Sequence, residues 1–207
     1  MAESDAVLLQ QAVEGDAAAL RSLLERFGGE VRRQISGRIE NRWRSLVDED
    51  DVMQVAYLEA FLHIDQLTAR DVPSFVAWLT RIAENALRDA IRGLSRQKRP
   101  HPAKRIVPTT TDESYAGLLD CLGVTTTTPS REATRRDAVS ALQAAIGRLP
   151  EAYHTAIRLY DLEGRPVSDV AAAMGRSVGA VHMLRARAHD RLRLDLGTSS
   201  QFFTGSA

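Results

Sequence analysis

The sequence holds a single cysteine, Cys121, among 207 residues. An internal disulfide needs two cysteines and a thiolate-rich metal site needs more, so both are excluded. One cysteine also fits a reducing compartment. Aromatic residues make up only 5% of the chain. Ala, Leu and Arg are abundant instead, which favours helix over strand by propensity. No apolar run approaches the roughly 20 residues that a membrane-spanning helix needs, so no membrane insertion is expected. The start, Met1-Ala2-Glu3-Ser4-Asp5, is acidic and lacks the basic first segment and apolar stretch of a signal peptide; a cytoplasmic protein is the expectation. Also missing are a phosphate-binding P-loop, a His-Glu-x-x-His metal motif and a nucleophile elbow. The histidines, His63, His101, His154, His182 and His189, never stand four residues from one another, so a helical metal pair is unsupported. With no catalytic constellation in view, neither enzyme activity nor a cofactor or metal is expected.

Excess charge of one sign is lacking too, with 27 Lys and Arg against 27 Asp and Glu. The distribution carries what the sum hides. Residues 81–105 hold eight basic side chains against two acidic ones, and residues 176–193 hold five against one, whereas acids gather at residues 48–51. A partner feels such local patches rather than the net charge.

Apolar spacing predicts an all-α chain of two small helical domains joined by a flexible linker, the C-terminal one containing a helix-turn-helix. The first domain, residues 1–97, reads as helices at 5–14, 16–39, 48–67 and 71–97. Gly15 separates the first two, Asp16 is placed to cap the second, and Gly28-Gly29 should weaken it locally. Pro73 suits the first turn of the fourth helix, where its missing N–H costs nothing. That helix has the clearest pattern in the chain. Val72, Phe75, Val76, Leu79, Ile82, Ala83, Ala86, Leu87, Ala90, Ile91 and Leu94 form one apolar stripe, while Arg81, Asn85, Arg88, Arg92 and Arg96 step along another face. Residues 98–130, broken by Pro100, Pro102, Pro108 and Pro129, read as a linker with one weak turn at 115–122. The second domain, residues 131–197, reads as helices at 131–147, 150–163, 168–174 and 177–196, followed by a disordered tail at 198–207.

Within it, Arg165 to Val181 reads as a helix-turn-helix: two short helices joined by about three residues. Gly175 can take the left-handed backbone of the turn and Ser177 can cap the second helix. Val170, Ala171, Met174, Val181 and Leu184 fall on the apolar side. The other face offers Arg176, Ser177, Val178, Gly179, His182, Met183, Arg185 and Arg187 to DNA, cations to phosphates and the first turn to base edges.

Taken together, Asp50-Asp51-Val52-Met53-Gln54 followed by Tyr57, Leu58 and Phe61, the segment Phe75-Val76-Ala77-Trp78-Leu79 running to Ile82-Ala83-Glu84-Asn85, the Leu149-Pro150 lead-in and the helix-turn-helix resemble the two domains of extracytoplasmic-function RNA polymerase sigma factors, in that family's order. The resemblance implies a promoter-specificity subunit that directs core polymerase to promoters and helps open the −10 region. By it, Asp50, Asp51 and Gln54 would make polar contacts, and Met53 an apolar one, with the β′ clamp helices of core polymerase. The C-terminal domain would meet the β flap and bind the −35 element as duplex. Thr68, Arg70 and Asp71, in the loop before the fourth helix, would take a base flipped from the melting −10 element, with Arg81, Asn85, Arg88, Arg92 and Arg96 crossing the same element. It also leaves room for an anti-sigma factor as a partner. Departures from the family pattern are Val55 where Glu is usual, Asp169 for Glu, Ala180 for Thr and His182 for Lys or Arg. The competing expectation is a stand-alone helix-turn-helix regulator, which would dimerise on a symmetric site.

Overall fold

The computed structural model describes residues 4–68, 71–97, 111–123 and 131–200. Nine helices account for the regular structure among them: α1 Asp5–Val13, α2 Ala17–Ser36, α3 Glu49–His63, α4 Val72–Gln97, α5 Thr111–Leu122, α6 Arg131–Gly147, α7 Glu151–Ala156, α8 Val167–Met174 and α9 Val178–Ser200. Short 3-10 turns stand at Asn41–Trp43 and Ile64–Gln66, and a π-helical stretch at Ile157–Leu162 continues α7. The all-α expectation holds, with no strand among the described residues.

Sequence chemistry sets the helix boundaries. The Asp16 carboxylate accepts the backbone N–H groups of Ala18 and Ala19, at 2.7 and 3.1 Å, and so caps α2. Asp48 does the same for α3 through the Asp50 N–H at 2.8 Å, and Glu49, Asp50 and Asp51 then fill a first turn whose dipole favours acids. Asp71 caps α4, accepting from the Ser74 backbone N–H at 2.8 Å and from its hydroxyl at 2.9 Å.

By its contacts the chain divides into two units, Met1–Arg99 with Arg176–Met183, and Pro100–Gly175 with Leu184–Ala207. In the first, α4 lies against α2 and α3. Phe75, Leu79, Ala83, Ala86 and Ala90 are fully enclosed and meet Leu20, Leu23, Val31 and Ile35 of α2 and Val52, Ala56 and Ala60 of α3 in a common core. Gly28 does more than weaken α2. A Cβ there would come within 2.0 Å of the Tyr57 hydroxyl oxygen, so the absent side chain is what lets the α3 tyrosine lie over α2. Burial raises the pKa of Tyr57, opposed by the nearby Arg32 cation and reinforced by Asp50.

In the second unit the segment expected to be a linker with one weak turn at 115–122 contains the helix α5. Leu118, Leu119 and Leu122 of that helix are buried. It packs on α6 and on the π-helical stretch, where the Ser114 hydroxyl donates to the Leu162 carbonyl at 2.9 Å. The rest of the linker and the end of the tail lie outside the described residues.

Candidate nucleic-acid and polymerase interface

The face of α4 opposite its core stripe is as the sequence suggests. Arg81, Arg88, Arg92 and Arg96 are all exposed. The helix carries them on steps of four and seven, so the cations form one row. Asn85 is half-buried in that row and its Oδ1 accepts from the Arg88 guanidinium at 2.6 Å. Trp78 is half-buried beside Phe75, ring centroids 6.0 Å apart, and so belongs to the edge of the core. Of the loop residues expected to take a base, Thr68 is exposed and Arg70 lies outside the described residues. Asp71 is committed as the α4 cap, and the Ser74 backbone N–H, with help from its hydroxyl, holds its carboxyl below the usual range.

The helix-turn-helix chemistry is also in place. Gly175 has φ 61° and ψ 40°, a left-handed end to α8. The Ser177 hydroxyl oxygen accepts the Ala180 N–H at 3.1 Å and caps α9. Val170, Val181 and Leu184 are buried as expected, while Met174 is half-buried.

Several residues expected on an open face are placed elsewhere. His182 is 9% exposed and Met183 is fully buried, and Gly179 is buried as well. The Gly179 N–H donates to the Leu46 carbonyl at 3.0 Å, within the first unit. In that same unit Asp51, only 8% exposed, accepts the Ser177 N–H at 2.8 Å and stands 3.4 Å from the Arg176 guanidinium. Its charge is thus used inside the protein. Arg176 and Val178 are half-buried.

Arg185 is not a free cation either. Its guanidinium donates to both carboxylate oxygens of Asp161 at 2.7–2.9 Å and lies over the Tyr160 ring at 4.8 Å. His189 adds a third group, its Nε2 3.4 Å from Asp161. Burial alone would raise the Asp161 pKa, but hydrogen bonds from His189 and Arg185 and the charge of Arg185 outweigh it, and the carboxyl ends below its ordinary value. Arg187 is half-buried.

On α3, Gln54 is exposed as expected, but Met53 is 4% exposed and belongs to the core. Asp50 pairs with Arg32 at 2.8 Å. Phe61, 41% exposed, is an apolar side chain the expected contact set omitted. It stands seven residues beyond Gln54 with half-buried Leu58 between them, a strip on one helix face. Spacing alone could have found it.

The described residues contain no cluster of three or more metal-ligating side chains and no helix long and apolar enough to cross a membrane. An arginine-faced helix in one segment and a capped helix-turn-helix in another are features of the helical proteins that bind DNA in transcription. Comparison with known proteins narrows the class. The family model for sigma-70 region 2 matches residues 23–97 and that for sigma-70 region 4 matches residues 140–192. The ECF RNA polymerase sigma factor SigM of Mycobacterium tuberculosis is 31% identical over 194 residues, spanning 94% of this chain and 85% of that protein. The ECF RNA polymerase sigma-E factor of Haemophilus influenzae is 29% identical over 191 residues, 91% of this chain and 93% of that one. Among solved structures the RsbN–BldN complex covers 89% of this chain and 96% of its own at 22% identity, but its TM-score of 0.31 adds nothing to the assignment. The chain belongs to the extracytoplasmic-function RNA polymerase sigma factors of the sigma-70 superfamily. Region 2 is the part involved in −10 recognition, so the α4 arginine row lies in the segment that carries it. A stand-alone regulator no longer describes the chain, and proteins of this family are transcription initiation factors rather than catalysts.

Proposed function

We propose that α4 holds the opened −10 strand along Arg81, Arg88, Arg92 and Arg96, with Asn85 beside them, while the loop before it, through Thr68 and Arg70, takes a flipped base. The observation that carries this reading is the exposure of those arginines on one face of α4, inside the region 2 match. Unpairing costs a few kcal/mol, which binding to the extruded base and to strand phosphates offsets. The helix-turn-helix binds the −35 duplex, and Arg176, Val178 and Arg187, which are half-buried rather than buried, are its remaining contact candidates. Core polymerase takes the Gln54–Leu58–Phe61 strip of α3 at the β′ clamp helices, and the region 4 segment meets the β flap. The strip replaces Met53 and Asp51, whose side chains are used internally. Domains at 1–97 and 131–197, an anti-sigma partner and a cytoplasmic location follow from the family reading. The chain contributes binding free energy to DNA opening and performs no covalent chemistry.

Arg88→Ala with Arg92→Ala tests the central element. Binding of the polymerase complex to single-stranded −10 oligonucleotides should weaken, with the salt dependence shallower by about 0.7 in log–log slope per lost phosphate contact. Unchanged affinity and slope would remove this face from the DNA.

A further inference from the structure

The helix α5 has no part in the roles above, and its own sequence makes it weak. It lies on α6 and on the π-helical stretch, with Leu118, Leu119 and Leu122 buried. The Ser114 hydroxyl, also buried, donates to the Leu162 carbonyl at 2.9 Å, at the end of that stretch, where helical carbonyls lack partners of their own. The helix is 12 residues long. Isolated helices shorter than about 12–15 residues are marginal in water even when Ala-rich. Gly117 stands in its middle, exposed and helical, and a Cβ there would meet nothing within 4 Å. Neither a turn nor a close approach requires a glycine at this position, so its effect is to lower helix stability. Folding and docking of α5 are therefore coupled, with three leucines favouring the docked state and Gly117 opposing it.

We propose that α5 is a releasable latch on the tether, docked while the chain is alone and released when one chain spans both promoter elements. This rests on the reading of α4 as the −10 helix and of the helix-turn-helix as the −35 binder. Chain length carries the argument. With α5 docked, only residues 98–110 connect the end of α4 to the second unit, and they span no more than about 50 Å in any conformation. Elements centred at −10 and −35 are about 25 base pairs apart, roughly 85 Å of B-DNA at 3.4 Å per pair. Domains of this size have radii of gyration of roughly 13 Å, so two of them close about 25 Å of that gap and leave about 60 Å. The docked tether is too short for it. With α5 released and unwound, residues 98–130 reach about 110 Å. Binding both elements at once therefore carries the cost of undocking α5, which Leu118, Leu119 and Leu122 raise and Gly117 lowers.

The test uses the full chain assembled with bacterial core polymerase, on a promoter from which this complex initiates. Gly117→Ala should favour docked α5 about fivefold by helix propensity and weaken binding to the two-element promoter by a similar factor. Inserting about ten Gly and Ser residues between Ala103 and Lys104 adds roughly 35 Å of reach and should restore the affinity. Binding to DNA that carries only one of the elements should be unchanged in both proteins. Cys121 is exposed and is the sole cysteine of the chain, so a spin label there follows α5 itself. Its motion should be that of a docked helix in the chain alone and on one-element DNA, and should gain a fast component on the two-element promoter. Unchanged promoter affinity in Gly117→Ala, a loss that the insertion does not restore, or a label spectrum indifferent to the second element would each overturn the latch. If the natural chain binds each element singly while the variants change nothing, only the latch falls. If it binds neither element, the reading of the two DNA-binding segments falls and the latch with it.

Discussion

At the scale of single residues the most consequential finding is Asp161, whose carboxylate gathers Arg185 and His189 about the π-helical stretch. Insertions of this kind in α-helices often serve to aim particular side chains, and here Tyr160 and Asp161 are both turned toward Arg185. Arg185→Ala would leave a buried carboxylate without its main partner and should cost about 3 kcal/mol of stability, read as a lower urea midpoint. Its effect on DNA binding would follow from folding and not from a lost phosphate contact. The same group makes stability depend on acid. Because the folded pKa of Asp161 lies below its ordinary value of 3.8, its contribution is fully present above that value and is lost as pH falls through the folded pKa. Urea midpoints measured from about pH 5 to about pH 3 should therefore fall more steeply in the natural protein than in Asp161→Asn. Equal slopes would show that the carboxylate gains nothing from its partners. None of this was visible in sequence, since Asp161 and its partners are 24 and 28 residues apart and no local periodicity links them.

Among the helices, the close approach of α2 and α3 depends on Gly28. A methyl group there meets the Tyr57 hydroxyl oxygen at 2.0 Å and the ring carbon bearing it at 3.1 Å. Gly28→Ala should destabilise by about 1–3 kcal/mol, the range for overpacking, and Tyr57→Phe in the same chain should recover part of the loss by removing the clashing oxygen. Additive effects of the two substitutions in thermal melts would contradict the close contact. The sequence showed this glycine only as a helix weakener, because its partner lies on another helix. Legibility followed locality throughout. The α4 stripe repeats over 26 residues, and its pattern gave both the buried face and the exposed arginines. Caps such as Asp16 and Ser177 act within three residues and were equally readable. In α5 the flanking prolines and threonine runs outweighed a short Leu118-Leu119-Leu122 stripe, so a helix was read as a weak turn. Met53 was assigned to a polymerase contact by the family resemblance, and His182 and Met183 to the open face of the second helix, yet all three are buried. Asp51 meets Ser177 across 126 residues of sequence, a distance no motif reading spans.

On the scale of the whole molecule, the family matches fall on two separate stretches, 23–97 and 140–192. One chain thereby carries both regions of the family, the one involved in −10 recognition and the one that contains the helix-turn-helix. Docking on core polymerase is expected to depend on the α3 strip. Gln54→Ala with Phe61→Ser should weaken assembly with core polymerase about tenfold or more while leaving the melting temperature within a few degrees, since both side chains are exposed. Normal assembly would place the docking surface elsewhere. The most direct measurement is run-off transcription by purified bacterial core polymerase on fragmented genomic DNA, with and without this chain. Discrete new start sites that share two upstream elements, lost with Arg88→Ala and Arg92→Ala, are the expected result. Assembly with core polymerase that yields no new start sites, or start sites indifferent to the α4 arginines, would contradict the promoter-opening role assigned to this helix.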